Sequence, residues 1–338
     1  QCLVGSEMCI RDRYNEGQAV IVGGLEITKE KYGEATEVTA DMPIEQGGVY
    51  FVSTNNVRLT YNLGTTGVDN LIIVPTTKDV TTINLLVSKQ IYLKGMFACQ
   101  NVTLLNQVPN ATSFHYPLRI IAEQNINIVL DGCKVNGLVP TKGFAMKSSE
   151  VSAVSVDNFI IHNSDINLAQ SGAALYLLTQ MSCKNISLDN NLIYASSLDG
   201  NVTEFKIFNG NGLTVETLNL TSNTLIDIES SGASLYGLVR AAKVLKATVK
   251  DNLYWLSDAA KAAYFFTGAS TLVESLDSSD NFGYSVSDKP LRMFQNTAID
   301  PDVKLVEGLF NTTDPATFNK STGTFIPKEG YTQYGAQR

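Results

Sequence analysis

The sequence predicts an all-β fold in which parallel strands stack into a solenoid, and three observations predict it. The first is a repeat. Six segments (125–135, 157–166, 184–193, 216–225, 246–255 and 274–283) each place apolar residues two apart, then a small polar step, then another apolar stretch. Aligned, they bring Cys133, Ser164, Asn191, Asn223, Asn252 and Asn281 to one position, at spacings of 31, 27, 32, 29 and 29 residues. Self-similarity at such a period marks a stacked architecture. The second observation is the period of two within each copy, which specifies strand. The third is composition. The 338 residues include 28 Asn, and only 17% are charged, against a norm of about 25%. Asn, Thr, Ser and the β-branched residues that fill the repeats are mediocre helix formers.

Along the chain, residues 1–13 (QCLVGSEMCIRDR) resemble the conceptual translation of a sequencing adapter. They are expected to be non-native, with any leader lying upstream, and neither Cys2 nor Cys9 is assigned a role. Residues 14–70 are less regular and read as an N-terminal cap with a first coil; 47–64 suit either a hairpin or that coil. Terminal units of a solenoid must be atypical, because they close the open end of the core. Residues 71–286 form the predicted solenoid core, with 80–98 as an earlier, looser copy. Its inward side chains are expected to be Ile128/Leu130, Phe159/Ile161, Ile186/Leu188, Leu218/Leu220 and Ala247/Val249. The remaining length of each copy suits two more short strands, such as 151–156 or 174–178. The polar step is the corner between strands. Asn tolerates the left-handed backbone a sharp corner needs, and stacked amides can hydrogen-bond from coil to coil. Segment 238–249 has a mildly helical pattern, but Val249 and Asn252 keep its second half in strand register. Residues 287–338 hold Pro290, Pro301, Pro315 and Pro327 and read as a tail packed on the last coil.

Composition also excludes. A formal charge of −8 with 25 basic residues argues against a nucleic-acid partner. No apolar run approaches the ~18 residues of a membrane helix. Five Cys without a Cys-x-x-Cys pair give neither a disulfide framework nor a zinc site, and Cys99, Cys133 and Cys183 read as small buried residues.

The repeat, seen most clearly around Asn158, Asn185, Asn191, Asn223 and Asn252, resembles the right-handed single-stranded parallel β-helix of the pectate-lyase-like superfamily over about residues 71–286. Within it, the chain looks most like uncharacterised β-helix proteins secreted by polysaccharide-degrading gut bacteria. Their C-terminal tails are similar to residues 298–327, with a closing Gly-x-Arg element that 335–338 fit loosely. The resemblance implies N- and C-terminal caps and a secreted, periplasmic or cell-surface location. It implies a monomer that acts on or binds a plant, algal or host polysaccharide, with a uronate polysaccharide lyase as the enzymatic form. A lyase needs a Lys or Arg base, commonly with Ca²⁺ held by carboxylates against the substrate acid. A hydrolase needs paired carboxylates. The polygalacturonase-like Asn-x-Asp, Asp-Asp, Gly-His-Gly and Arg-x-Lys set is absent, and so is the pectate-lyase-like Arg-x-Pro-x-x-Arg. The alternatives are a non-catalytic carbohydrate-binding protein and an adhesin-like surface solenoid.

Candidate site residues follow from the alignment. The outward position just before the corner holds Asp131, His162, Asp189, Thr221 and Lys250. Strands stack about 4.8 Å apart, so His162 is expected between two carboxylates, which would favour its imidazolium. Lys134 and Asp165 fall in a second outward column. His162, Lys134 and Lys250 are thus the candidate catalytic residues, and Asp131, Asp165 and Asp189 candidate ligands for substrate or metal. The plainer alternative is a solvated charge ladder. Arg119 could serve as base, carboxylate clamp or edge ion pair. Tyr194, Trp255 and Tyr284 share a position three residues after the corner, giving a stacking row if outward and core if inward. His115, beside Tyr116 and Pro117, reads as structural.

Overall fold

In a computed structural model, residues 9–106, 117–136, 145–147, 150–167, 174–177, 181–194, 206–209, 212–226, 228, 238–256, 263–266, 272–286, 290–294, 303–311 and 325–337 are described. They form a parallel β-solenoid with three strand directions per coil. The first sheet runs from Ala35–Val38 through Ile126–Asp131, Val154–His162, Met181–Asp189, Thr214–Thr221 and Lys243–Lys250 to Leu272–Ser279. The second sheet follows the corner and holds 11 strands among the described residues, from Met42–Ile44 to Val303–Leu305. The third precedes the first sheet in each coil and includes Leu118–Ile120, Val239–Arg240 and Leu291–Phe294.

The alignment register is the structural register. Asp131 pairs with His162, His162 with Asp189, Asp189 with Thr221 and Thr221 with Lys250. All ten expected inward side chains lie in one apolar core that runs the length of the solenoid. Strand pairing extends beyond the six aligned copies at both ends. Gly48–Val52 and Val57–Tyr61 belong to different sheets and make a coil, not a hairpin. Segment 238–249 is strand, with Lys243–Lys250 in the first sheet.

The corner uses two adjacent residues for two separate tasks. The left-handed residue is not the aligned Asn but its predecessor: Asn163, Asn190, Ser222, Asp251 and Asp280 have φ between 52° and 58°, and Gly132 takes the same role. Asn and Asp are the non-glycine residues that reach this region at least cost. The aligned residue is instead turned inward and buried. There its amide replaces the backbone pairing that the corner interrupts. The Oδ1 of Asn223 accepts from the Asn191 backbone N–H at 3.1 Å and from Asn191 Nδ2 at 3.0 Å. Asn252 does the same for Asn223, and Asn281 for Asn252. Each Nδ2 also donates to a carbonyl of the preceding coil, as Asn223 does to Leu188 at 2.9 Å. Ser164 and Cys133 close the ladder at its upper end, where the Cys133 N–H donates to Ser164 Oγ at 3.0 Å.

Two outer faces are apolar as well, and each is covered. At the N-terminus, helix α1 (Ile10–Asn15), a hairpin of Val20–Val22 with Leu25–Ile27, and helix α2 (Lys29–Tyr32) lie on the first sheet. Residues 9–13 lie against the solenoid: Cys9 is buried, the Ile10 N–H donates to Thr76 O at 3.0 Å, and Arg11 pairs with Glu37. Tyr14 is fully buried, and its hydroxyl donates to Gly33 O at 2.7 Å, tying α1 to the end of α2. At the C-terminus, residues 306–311 and 325–337 pack over the second sheet. The Gly335 N–H reaches Asp251 O at 2.7 Å, and its φ of 73° and contact with Leu253 admit no side chain.

Asn223→Ala leaves the Asn191 donors and the Leu188 carbonyl buried without their partners, at about 1–3 kcal/mol per group. The expected loss is about 3 kcal/mol, read from urea unfolding. Asn163→Gly, at an exposed left-handed position, should change stability by less than about 1 kcal/mol. Burial also pushes the Tyr14 and Tyr61 hydroxyls up to about 12. Between their ordinary value and that figure the folded chain keeps protons the unfolded chain releases. Stability should therefore fall as pH rises from 10 to 12, and fall less steeply in Tyr61→Phe.

Candidate functional site

The outer face of the first sheet changes character along the solenoid. Alternate side chains on the early rungs are apolar: Val49 and Phe51, Ile72 and Val74, Met96 and Ala98, then Val129 and Ile160. These pack under the N-terminal arm. In the same column beyond Ile160 the residues become Ser187, Asn219, Thr248 and Asp277. The arm ends where the apolar residues end, because nothing beyond gives it a surface to bury. Its hairpin tip is a two-residue Gly23–Gly24 turn with both φ positive, the geometry that matches strand twist. Gly23 sits so close over Val129 that a Cβ could not be accommodated.

A cleft of about 670 Å³ opens at this boundary, within the size range of small-molecule sites. The arm supplies one wall through Leu25, Glu26, Lys31 and Tyr32. The floor is a second amide row on the outside of the first sheet: Asn127, Asn158 and Asn185 on successive rungs, followed by Thr217. Asn158 Nδ2 donates to Asn127 Oδ1 at 2.8 Å, and Asn185 Nδ2 to Asn158 Oδ1 at 3.3 Å. Asp157, Lys184 and Glu216 stand along the adjoining edge. Lys184 Nζ lies 2.6 Å from Asp157 Oδ1. That bond, with the Asp157 charge, raises the Lys184 ammonium above its ordinary value, so the amine stays protonated at neutral pH.

The structure distributes the predicted site residues over three sheets. Asp131, His162, Asp189 and Lys250 form one outward column on the first sheet, but each has its own partner. Asp131 accepts from Asn163 Nδ2 at 2.9 Å, from Gln100 Nε2 at 3.2 Å and from the Gly23 N–H at 3.4 Å; it anchors the arm tip. His162 Nε2 lies 2.9 Å from Ser187 Oγ, so its hydrogen bond runs to serine. Asp189 accepts from the Thr221 hydroxyl at 2.5 Å. Lys250 pairs with Asp277 at 2.7 Å. Lys134 and Asp165 are in register across the corner, on the second sheet. Arg119 belongs to the third, where its guanidinium stacks 5.3 Å from the Tyr92 ring and donates to its hydroxyl at 3.3 Å. His115 lies outside the described residues. Among the described residues, no group of three or more His, Cys, Asp or Glu side chains is gathered to hold a metal ion.

The expected aromatic row is neither a stacking platform nor part of the central core. Tyr194 and Trp255 do point outward from the second sheet, in register through Ile226. The C-terminal tail then covers them. Trp255 is fully buried, 5.4 Å from the Phe325 ring. Phe282 lies 5.0 and 4.8 Å from the Tyr331 and Tyr334 rings. The described thiols are also sealed: Cys9, Cys99, Cys133 and Cys183 are free and buried, and burial pushes the Cys133 thiol up to about 12. Burial raises the Cys99 and Cys183 thiols as well, so these three are not nucleophiles at neutral pH.

Sequence reasoning missed the cleft. Asn158 and Asn185 stood out as repeat markers, and their period-two placement puts them outward. Nothing local to residues 20–32 shows that an arm folds back beside them. No helix among the described residues is long and apolar enough to cross a membrane. No protein-family model matches the chain, and searches of curated proteins and of solved structures find no match either.

Trp255 is the sole tryptophan, so its fluorescence reports on the tail. Removing residues 328–338 takes away the tyrosines over Phe282 and should open the cluster to water. The expected outcome is a red-shifted emission with greater iodide quenching, while far-UV circular dichroism stays that of β-structure.

Proposed function

We propose that this chain, as a β-helix of the pectate-lyase-like kind working outside the cell or at its surface, binds an extended polysaccharide along the outer face of its first sheet. The observation that carries this reading is the cleft beneath the arm, which opens onto uncovered polar columns. Successive rungs present Asn185, Thr217, Lys246 and Ser275 in one column and Ser187, Asn219, Thr248 and Asp277 in the next. Hydrogen-bonding groups repeat at the strand spacing of about 4.8 Å. A polymer of hydroxylated rings meets such a ruler with the same groups at each step, whereas a compact ligand uses one or two rungs only.

Binding without turnover is favoured over lyase chemistry. A lyase base must give up its proton near working pH. Lys184 is held protonated by Asp157, and Lys250 is tied to Asp277.

The test is a polysaccharide panel, uronate and neutral, run with and without Ca²⁺. Retention in affinity electrophoresis is expected, with no rise in absorbance from unsaturated product. Asn219→Arg, which fills the open face, should weaken retention at least about tenfold. Growing absorbance would establish a lyase instead, and retention unchanged by Asn219→Arg would place binding elsewhere.

A further inference from the structure

The polysaccharide reading leaves the class of sugar open, and the cleft speaks to it. Resting on that reading, we infer that the cleft selects a neutral, hydroxyl-bearing sugar over a uronate. Two observations on its lining lead there, one of hydrogen-bond capacity and one of charge.

A carboxamide has two N–H donors and two acceptor lone pairs. In the floor row, Asn158 gives one N–H to Asn127 and one lone pair to Asn185. One donor and one acceptor remain on the same side chain. A sugar hydroxyl donates and accepts at once, so a single hydroxyl can meet both. A carboxylate only accepts, and would leave the amide oxygen without a donor on a partly buried floor. Asn127, whose Nδ2 also donates to Asn125 O, repeats this offer, Asn185 presents one N–H and its carbonyl oxygen on the next rung, and Thr217 extends the row with a hydroxyl.

Charge points the same way. The lining carries Glu26, Asp157 and Glu216 against Lys31 and Lys184, an excess of one acid. Lys184 is committed to Asp157, and Lys31 lies over the Tyr32 ring at 5.1 Å. Glu26 and Glu216 make no ion pair among the described residues. A uronate would bring its own charge toward Glu26 and Glu216, and the Lys184 charge is already shared between Asp157 and Glu216. A neutral ring instead finds in them acceptors for its hydroxyls, with Leu25 and Tyr32 on the arm for its apolar faces.

The experiment is calorimetric titration of the full chain with cellohexaose, mannohexaose and xylohexaose, and in parallel with hexagalacturonate and hexaguluronate at one ionic strength. At least one neutral hexasaccharide is expected to bind at least about tenfold more tightly than either uronate. Asn158→Leu, checked for folding by its urea midpoint, should lose that binding at least about tenfold. Glu216→Lys, at an exposed position and checked for folding by its urea midpoint, should narrow or reverse the preference. Uronate binding that exceeds neutral binding, and that weakens in Lys184→Ala, would overturn the neutral-sugar inference and leave the polysaccharide reading standing. Polymers retained through Asn219 with no hexasaccharide titrating would overturn the cleft as the selective site. Failure of every polymer and hexasaccharide to bind would overturn both.

Discussion

The coil-to-coil contact between buried corner amides is the constraint on which the rest of this structure depends. At each turn between the first and second sheets the regular backbone ladder is interrupted, and the freed groups lie inside the core. An amide that donates and accepts along the stacking direction restores those bonds in place. Asn191, Asn223, Asn252 and Asn281 do so in series. The left-handed residue before each swings the chain around, and the pair behaves as one device. Register follows from it. A one-residue slip in any coil would expose an amide and bury a turn residue, so every column before and after the corner is locked.

Locked columns make the outside of the solenoid a surface whose chemistry is chosen rung by rung. In the column through Val129 on the first sheet the choice is apolar as far as Ile160 and polar from Ser187 onward. On the second, Tyr194, Trp255 and Phe282 keep the outer face apolar. An apolar outer face must be covered, and the two ends of the chain cover the two faces. The cleft is a by-product of that division, since it lies where the arm stops and the open face begins. Its walls come from segments about a hundred residues or more apart in sequence, Leu25–Tyr32 and Asn127–Thr217.

The candidate site was legible in part. The column Asp131, His162, Asp189, Thr221, Lys250 is in the register that the repeat alignment assigns, because the same period that aligns the cores aligns the exteriors. What the column does was not legible. Long side chains choose among neighbours on adjacent columns, and Lys250 turns to Asp277 while His162 turns to Ser187. Trp255 shows the same limit. Its outward direction follows from strand alternation, but its burial depends on a tail that begins some fifty residues later. The left-handed corner residue was placed one position late, since Asn occurs at both positions and composition does not separate a turn-former from a ladder-former.

By itself the sequence determined the period, the strand alternation, the inward set and the amide corner, because each rests on interactions between residues at a fixed repeat distance. Periodicity carries such information without knowledge of the fold. Only the tertiary structure decided which outer columns are covered, where the cleft lies, and which charged groups neutralise one another. Those outcomes depend on how two non-repeating ends pack back onto the solenoid, and on the reach of side chains to partners in neighbouring columns. Neither leaves a periodic mark. The fold is therefore written in the repeat, and the site in the departures from it.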